Sequence, residues 1–148
     1  MAVRDVLLDT NAYVAFKQGT PEAVEVFTHV PRIGINSIVL GELLSGFAIG
    51  TRAEANRQEL QQFLTSERVH QLVIDAETAA QYATVYRDLR RRGRPIPTND
   101  MWIAASALQH GFAVFSDDKH FMKSPVCMLA HDWQLSVVRA ESIPAADV

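Results

Sequence analysis

The chain has 148 residues, of which 48% are hydrophobic and 21% are charged, and its formal net charge at pH 7 is −3. This length and apolar content indicate one globular domain with its own core, and the negative charge argues against broad electrostatic attraction to nucleic acid. The first residues lack a secretory signal, no stretch is long enough to span a membrane, and the single cysteine, Cys127, has no partner for an internal disulfide. We therefore expect a cytoplasmic protein without a membrane partner.

The amino-terminal half is predicted to alternate strands and helices. Residues 3–8 form a buried strand, residues 12–17 and 21–29 form helices, and residues 33–36 form a short strand. Ser37 is predicted to cap a helix that reaches about Ile49, and a further helix runs from residues 50–51 to about Thr65.

The carboxyl-terminal half continues this alternation. A strand over residues 69–74 precedes a long helix that Asp75 caps and that ends near Arg92; a helix over 99–109, capped by Thr98, leads to a strand over 112–115. The last strand is placed in 126–129, in 135–138, or in both, and residues 141–148 are expected to form a flexible tail. Because parallel strands need crossover connections, this order predicts an α/β fold, a three-layer α/β/α sandwich with a mostly parallel central sheet, over residues 1–140.

Four carboxylates occupy unusual places relative to these elements. Asp9 directly follows the first strand, Glu42 lies in the apolar helix 37–49, Asp100 falls in the first turn of its helix, and Asp118 follows the strand 112–115. The ends of strands in open α/β sheets converge on one crevice, so acids distant in sequence can share a site. Taken alone, Glu42 suggests an ordinary surface residue, but together the four carboxylates suit a hard cation such as Mg²⁺, which activates water for phosphodiester hydrolysis.

A basic cluster stands immediately before Asp100. Its members are Arg87, Arg90, Arg91, Arg92 and Arg94. The cluster is typical either of a solvated helix end, where cations complement the helix dipole, or of a contact with an RNA phosphate backbone. Both interpretations remain open from the sequence.

Four segments carry a family resemblance. They are Leu8-Asp9-Thr10-Asn11, Gly41-Glu42-Leu43, Asn99-Asp100 followed by Ile103-Ala104-Ala105, and Ser116-Asp117-Asp118-Lys119-His120-Phe121. In order and spacing they resemble the PIN-domain ribonucleases, particularly the VapC-type toxins of bacterial toxin–antitoxin pairs.

The resemblance implies a site as well as an activity. It implies an endoribonuclease in which Asp9, Glu42, Asp100 and Asp118 chelate Mg²⁺ or Mn²⁺. It also implies an RNA substrate, a small VapB-like antitoxin that lays an apolar helix into a groove, and a homodimer. For Phe16, Phe47 and Ile49, a place in the core is favoured over a place in an interface.

Neighbouring polar residues are candidates for supporting roles. Strand alternation directs Ser116 and Asp118 one way and Asp117 the other, which favours Asp118 as the fourth acid. Ser116 either supports Asp118 or is a satisfied strand end. Thr10 and Asn11 either bond to the site or cap a helix, and Asn99 is a further supporting candidate.

Two other functions compete with the nuclease. A phosphatase with Asp9 as nucleophile would resemble the haloacid-dehalogenase-like enzymes, but Asn11 stands where those proteins carry a second Asp. A non-catalytic PIN-like binding module would keep the fold alone, and acids at all four positions argue against it.

Overall fold

The computed structural model describes residues 5–116 of the chain. In chain order its elements are β1 (Val6–Leu8), α1 (Thr10–Gln18), α2 (Pro21–His29), β2 (Ile33–Asn36), α3 (Ser37–Ile49), α4 (Ala53–Leu64), β3 (Val69–Leu72), α5 (Ala76–Arg91), α6 (Thr98–His110) and β4 (Ala113–Phe115). The predicted order of elements is confirmed up to β4. The predicted last strand, Cys127 and the tail 141–148 lie outside the described residues, and the domain extent of 1–140 stays a prediction.

The four strands form one parallel sheet in the order β3-β2-β1-β4. β1 occupies an inner position, where Leu7 pairs with Val114 of β4 and with Gly34 of β2. All three β1 residues are fully buried, so helices must cover both faces of the sheet. The predicted three-layer α/β/α sandwich is therefore confirmed.

Aromatic side chains pack the helices against the sheet. Phe16 and Phe27 stack with ring centroids 4.0 Å apart, and the Phe27 ring also lies against Phe115 of β4. On α5 and α6, Tyr82 stacks on Trp102 at 4.2 Å. These contacts pack α1 against α2, α2 against β4, and α5 against α6.

Two of the three side chains assigned to the core lie against it. Phe16 and Phe47 are partly buried and pack against the core cluster. Ile49 is 91% exposed, so the prediction of a buried Ile49 is wrong. It is the last residue of α3, in a stretch, 48–50, in which every residue is exposed.

The caps of two helices differ from those predicted from the sequence, and the cap of a third agrees. Asn36, and not Ser37, caps α3, because its side-chain oxygen accepts from the Val39 backbone N–H at 2.9 Å. Thr98 is the first residue of α6 and not its cap. Asp75 caps α5 as predicted, in a capping box with Thr78.

None of the helices in residues 5–116 combines the length and the apolar content that a membrane-spanning helix needs.

Candidate functional site

Asp9 connects the end of β1 to the start of α1. It is the N-cap of α1, where Oδ1 accepts from the backbone N–H groups of Asn11 at 2.6 Å and Ala12 at 3.2 Å. The Ser116 hydroxyl donates to Asp9 Oδ2 at 2.7 Å. Asp9 is 5% exposed, so these donors compensate the burial of its charge and fix the orientation of the carboxylate.

The contact between Asp9 and Ser116 follows from the sheet order. The two residues stand 107 positions apart in sequence, yet each directly follows one of two paired parallel strands, β1 and β4. Ser116 thus supports Asp9 within the described residues. Asp117 and Asp118 lie outside the described residues, so the role of Ser116 toward Asp118 stays a prediction.

Glu42 lies where three elements meet. Its Oε2 accepts from the Thr10 hydroxyl at 3.0 Å, and its Oε1 accepts from the Asn99 side-chain amide at 3.1 Å. Thr10 begins α1, Glu42 belongs to α3, and Asn99 is the second residue of α6. Both donors are neutral, and no basic side chain of residues 5–116 forms an ion pair with Glu42. Within residues 5–116, hydrogen bonds from neutral groups therefore hold both oxygens of Glu42.

Asp100 stands in the first turn of α6, directly after Asn99. It is half-buried, and the helix dipole favours a carboxylate at this position. The N-cap of α6 is Pro97, which supplies no side-chain hydrogen bond to the first helical N–H groups. Through Asn99, the turn that carries Asp100 is in contact with Glu42.

Thr10 and Asn11 turn out to have different roles. Both residues were candidates for a helix cap, but Asp9 caps α1. The Thr10 hydroxyl donates to Glu42 instead. Asn11 contributes its backbone N–H to Asp9, while its side chain is exposed.

Two buried polar residues near the site were missed by the sequence analysis. Asn36 is fully buried, and its amide donates to the Ser106 hydroxyl at 3.1 Å, which joins the start of α3 to α6. This bond fixes the helix of Glu42 relative to the helix of Asp100. An Asn directly before an apolar helix is a favoured N-cap, and that signal was present in the sequence.

The basic cluster divides into several environments. Arg90 and Arg91 are exposed in the last turn of α5, as expected beside a helix C-terminus. Arg92 forms an ion pair with Asp88 at 3.6 Å, and Arg94 lies in the following loop. This arrangement is compatible with both interpretations of the cluster, the solvated helix end and the phosphate contact.

The donors at this site have the chemistry of a hard divalent cation site. Asp9, Glu42 and Asp100 offer only oxygen atoms, as Mg²⁺ prefers. Within residues 5–116, no three His, Cys, Asp or Glu side chains lie close enough together to hold an ion. The fourth predicted acid, Asp118, lies outside the described residues, so the set of four metal ligands stays a prediction.

Comparison with known proteins gives the family. A model of the PIN domain matches residues 6–125. Ribonuclease VapC4 from Mycobacterium tuberculosis is 28% identical over 127 residues, covering 84% of this chain and 95% of that protein. Ribonuclease VapC1 from Haemophilus influenzae is 31% identical over 106 residues, covering 69% and 78%.

A solved structure agrees with this assignment at the level of the fold. The crystal structure of VapBC2 from Rickettsia felis, bound to a DNA fragment from their promoter, aligns with a TM-score of 0.74 and 24% identity, covering 90% of this chain and 97% of that one. With a family model that spans most of its length, and with relatives that are VapC ribonucleases, this chain belongs to the PIN domain family.

Proposed function

We propose that this chain is a divalent-metal-dependent endoribonuclease, the toxin of a VapBC-type toxin–antitoxin pair. The observation that carries the proposal is the contact of Glu42 with both Thr10 and Asn99. It joins the segment after Asp9, the helix of Glu42 and the turn of Asp100, so three candidate acids belong to elements that are in contact.

The proposed ligands of Mg²⁺ or Mn²⁺ are Asp9, Glu42, Asp100 and Asp118. When bound, such an ion lowers the pKa of a coordinated water and neutralises charge on the phosphate. Ser116 and two backbone N–H groups orient Asp9, while Thr10 and Asn99 orient Glu42. These hydrogen bonds limit the rotamers of the carboxylates before substrate arrives.

The environment of Asp9 disfavours the phosphatase alternative. An aspartyl nucleophile must present a carboxylate oxygen to the phosphorus atom. In Asp9 both oxygens accept hydrogen bonds, and the residue is 5% exposed. This arrangement is better suited to a metal ligand, which keeps one orientation, than to a nucleophile, which must form a bond to phosphorus.

The RNA backbone is proposed to contact the basic cluster. Its candidate residues are Arg90, Arg91, Arg92 and Arg94. Because the whole chain carries a net charge of −3, attraction of RNA to this enzyme has to come from a local positive surface. The cluster ends at the loop that leads directly into the turn of Asp100.

The proposed antitoxin site is a groove among α1, α3 and α4. Its volume is about 360 Å³, and it is lined by Tyr13, Val14, Lys17, Gln18, Phe47, Arg52, Asn56 and Glu59. On the same helices, Val14, Leu44 and Ile49 are exposed apolar side chains. An apolar helix of a VapB-like partner would cover such a surface. A homodimer and a cytoplasmic location complete the proposal.

The test is cleavage of a mixed RNA sample by the purified chain. Activity should require Mg²⁺ or Mn²⁺ and disappear with EDTA. Asp9→Asn, Glu42→Gln and Asp100→Asn should each lose about a hundredfold or more in rate. Glu54→Gln, which alters an exposed acid on α4, is the matched control and should keep full activity.

The remaining outcomes decide between the functions. Sequencing of the 5′ ends produced by wild type, but not by Asp9→Asn, would identify the RNA target. Cleavage that persists in EDTA would refute the metal proposal. Release of inorganic phosphate from a phosphomonoester, without RNA cleavage, would support the phosphatase.

A further inference from the structure

A second pocket lies where the last turn of α5 meets the loop that leads into α6. Its volume is about 290 Å³. Leu89 and Met101 line its buried side, and Ile96 of the loop packs against the same core. Tyr86 and Arg90, both exposed, line its open side. The pocket therefore combines an apolar interior with an aromatic ring and a cation at its entrance.

Tyr86 and Arg90 are in direct contact. The guanidinium Nη1 of Arg90 donates to the Tyr86 hydroxyl at 3.2 Å, which holds the cation beside the ring. A guanidinium has five N–H donors, so this bond leaves others for an anion. Exposed aromatic rings and arginines are the groups on which proteins stack single-stranded bases and hold the neighbouring phosphates.

The pocket is close to the proposed catalytic site. Met101, which lines the pocket, directly follows Asp100 in α6. Consecutive residues of a helix project about 100° apart around the axis, so Asp100 and the residue that lines the pocket share one turn of α6. A nucleotide in this pocket would therefore lie against the turn that carries Asp100.

We propose that this pocket binds one base of the RNA substrate, stacked on Tyr86, while Arg90 contacts the adjacent phosphate. The inference rests on the proposed ribonuclease function and adds a site that selects where on the RNA the enzyme acts. The volume is near the lower end of the range for small-molecule sites, about 300–1,000 Å³, which suits one flat base better than a helix of a protein partner. The positive charge at the entrance suits an anionic ligand.

The experiment measures binding to a fluorescein-labelled single-stranded oligoribonucleotide of mixed sequence, in EDTA, so that cleavage plays no part. Tyr86→Ala should raise the Kd about fivefold or more, because it removes the stacking surface. Tyr86→Phe keeps the ring but loses the hydroxyl to which Arg90 donates, so its Kd should rise less than that of Tyr86→Ala. Tyr86 is 47% exposed, so neither variant should change the melting temperature by more than a degree or two.

Arginine variants separate the pocket from general charge. Arg90→Gln should raise the Kd about fivefold and reduce the slope of log K against log salt concentration by about 0.7. Arg87→Gln removes the same charge from the same helix outside the pocket lining, and its effect should be smaller. With inorganic polyphosphate as ligand, Arg90→Gln should weaken binding while Tyr86→Ala should not.

Each contrary result has a distinct meaning. Equal RNA affinity in wild type, Tyr86→Ala and Arg90→Gln would overturn the base pocket and leave the proposed ribonuclease intact. Equal losses in Arg87→Gln and Arg90→Gln would also overturn it, since charge alone would then explain the binding. Altered self-association with unchanged RNA affinity would assign the pocket to a protein interface. Failure of the wild type to bind RNA in EDTA would overturn the base pocket, while the metal-dependent cleavage assay decides the proposed function separately.

Discussion

The hydroxyl of Thr10 donates a hydrogen bond of 3.0 Å to Oε2 of Glu42, across 32 positions of sequence. Thr10 is the first residue of α1 and directly follows Asp9. One short side chain therefore sets the position of Glu42 relative to the acid at the end of β1. The relationship gives Thr10 a positioning role that can be tested separately from the acids.

Replacing Thr10 by Val should reduce RNA cleavage without a matching loss of stability. Valine keeps the shape of threonine but cannot donate to Glu42. A Glu42 that α1 no longer holds would be less well placed to bind the cation, and a loss of about 1.4 kcal/mol from transition-state stabilisation is tenfold in rate. We expect kcat/KM to fall about tenfold or more in a cleavage assay with saturating Mg²⁺.

Thr10→Ser is the control for this prediction, because serine retains the hydroxyl. It should recover most of the activity, while the melting temperatures of both variants stay close to that of wild type. Full activity in Thr10→Val would show that Glu42 needs no support from α1.

Asp9 both caps α1 and is a proposed metal ligand, and two different substitutions distinguish these roles. Asn can still accept from the Asn11 and Ala12 N–H groups, and its amide can donate to the Ser116 hydroxyl, so Asp9→Asn should preserve stability. Asp9→Ala removes the cap and should lower the free energy of unfolding by about 1 kcal/mol. Both variants should be inactive.

Urea unfolding and a cleavage assay on the same preparations would check these expectations. A large loss of stability in Asp9→Asn would indicate that the negative charge itself holds the end of β1. Retention of cleavage by either variant would remove Asp9 from the proposed ligands.

The sequence predicted the fold well because its signals were local and repeated. Buried apolar runs such as residues 6–8 alternate with helical segments that end at Gly19 and Gly111, both with positive φ. Crossover connections then require a parallel sheet, which the structure contains. The convergence of Asp9 with the end of β4 followed from the same reasoning.

The contacts of the site were harder to predict, because they depend on how helices pack. Nothing in the spacing of Glu42 specifies that its two oxygens bond to Thr10 and Asn99. The sequence predicted Ser37 as the cap of α3, but serine and asparagine both satisfy the local rule, and the bond from the Val39 N–H identifies Asn36 as the cap. Side-chain bonds between elements require a tertiary structure.

Asn36 should be important for stability because it makes two buried bonds. It caps α3 at the Val39 N–H and donates to the Ser106 hydroxyl. Loss of a cap costs about 1 kcal/mol and loss of a buried hydrogen bond costs about as much again. Asn36→Ala should therefore lower the free energy of unfolding by about 2 kcal/mol.

Ser106→Ala is the matched variant, since it removes the bond to α6 and keeps the cap. It should cost about half as much as Asn36→Ala in denaturant unfolding. Equal costs in the two variants would mean that the cap contributes little and that the contact between α3 and α6 accounts for the effect.

Tyr13 offers a prediction of increased stability. Its ring packs edge-on against Phe63 with centroids 5.4 Å apart, but its buried hydroxyl has no hydrogen-bond partner within residues 5–116. An unsatisfied buried hydroxyl costs about 1–3 kcal/mol, and phenylalanine retains the ring contact without it. Tyr13→Phe should therefore raise the free energy of unfolding at pH 7 by about 1 kcal/mol.

The pH dependence of the same variant tests the cause. Burial, assisted by the negative charge of Glu59, raises the pKa of Tyr13 from 10.0 to about 12. Because the folded state then binds the proton more tightly than the unfolded state, the wild type should lose stability as the pH rises from 10 towards 12. Phenylalanine has no proton to lose, so the advantage of Tyr13→Phe in urea unfolding should widen over that interval. A constant difference between the two proteins across these pH values would show that water or another polar group already reaches the hydroxyl.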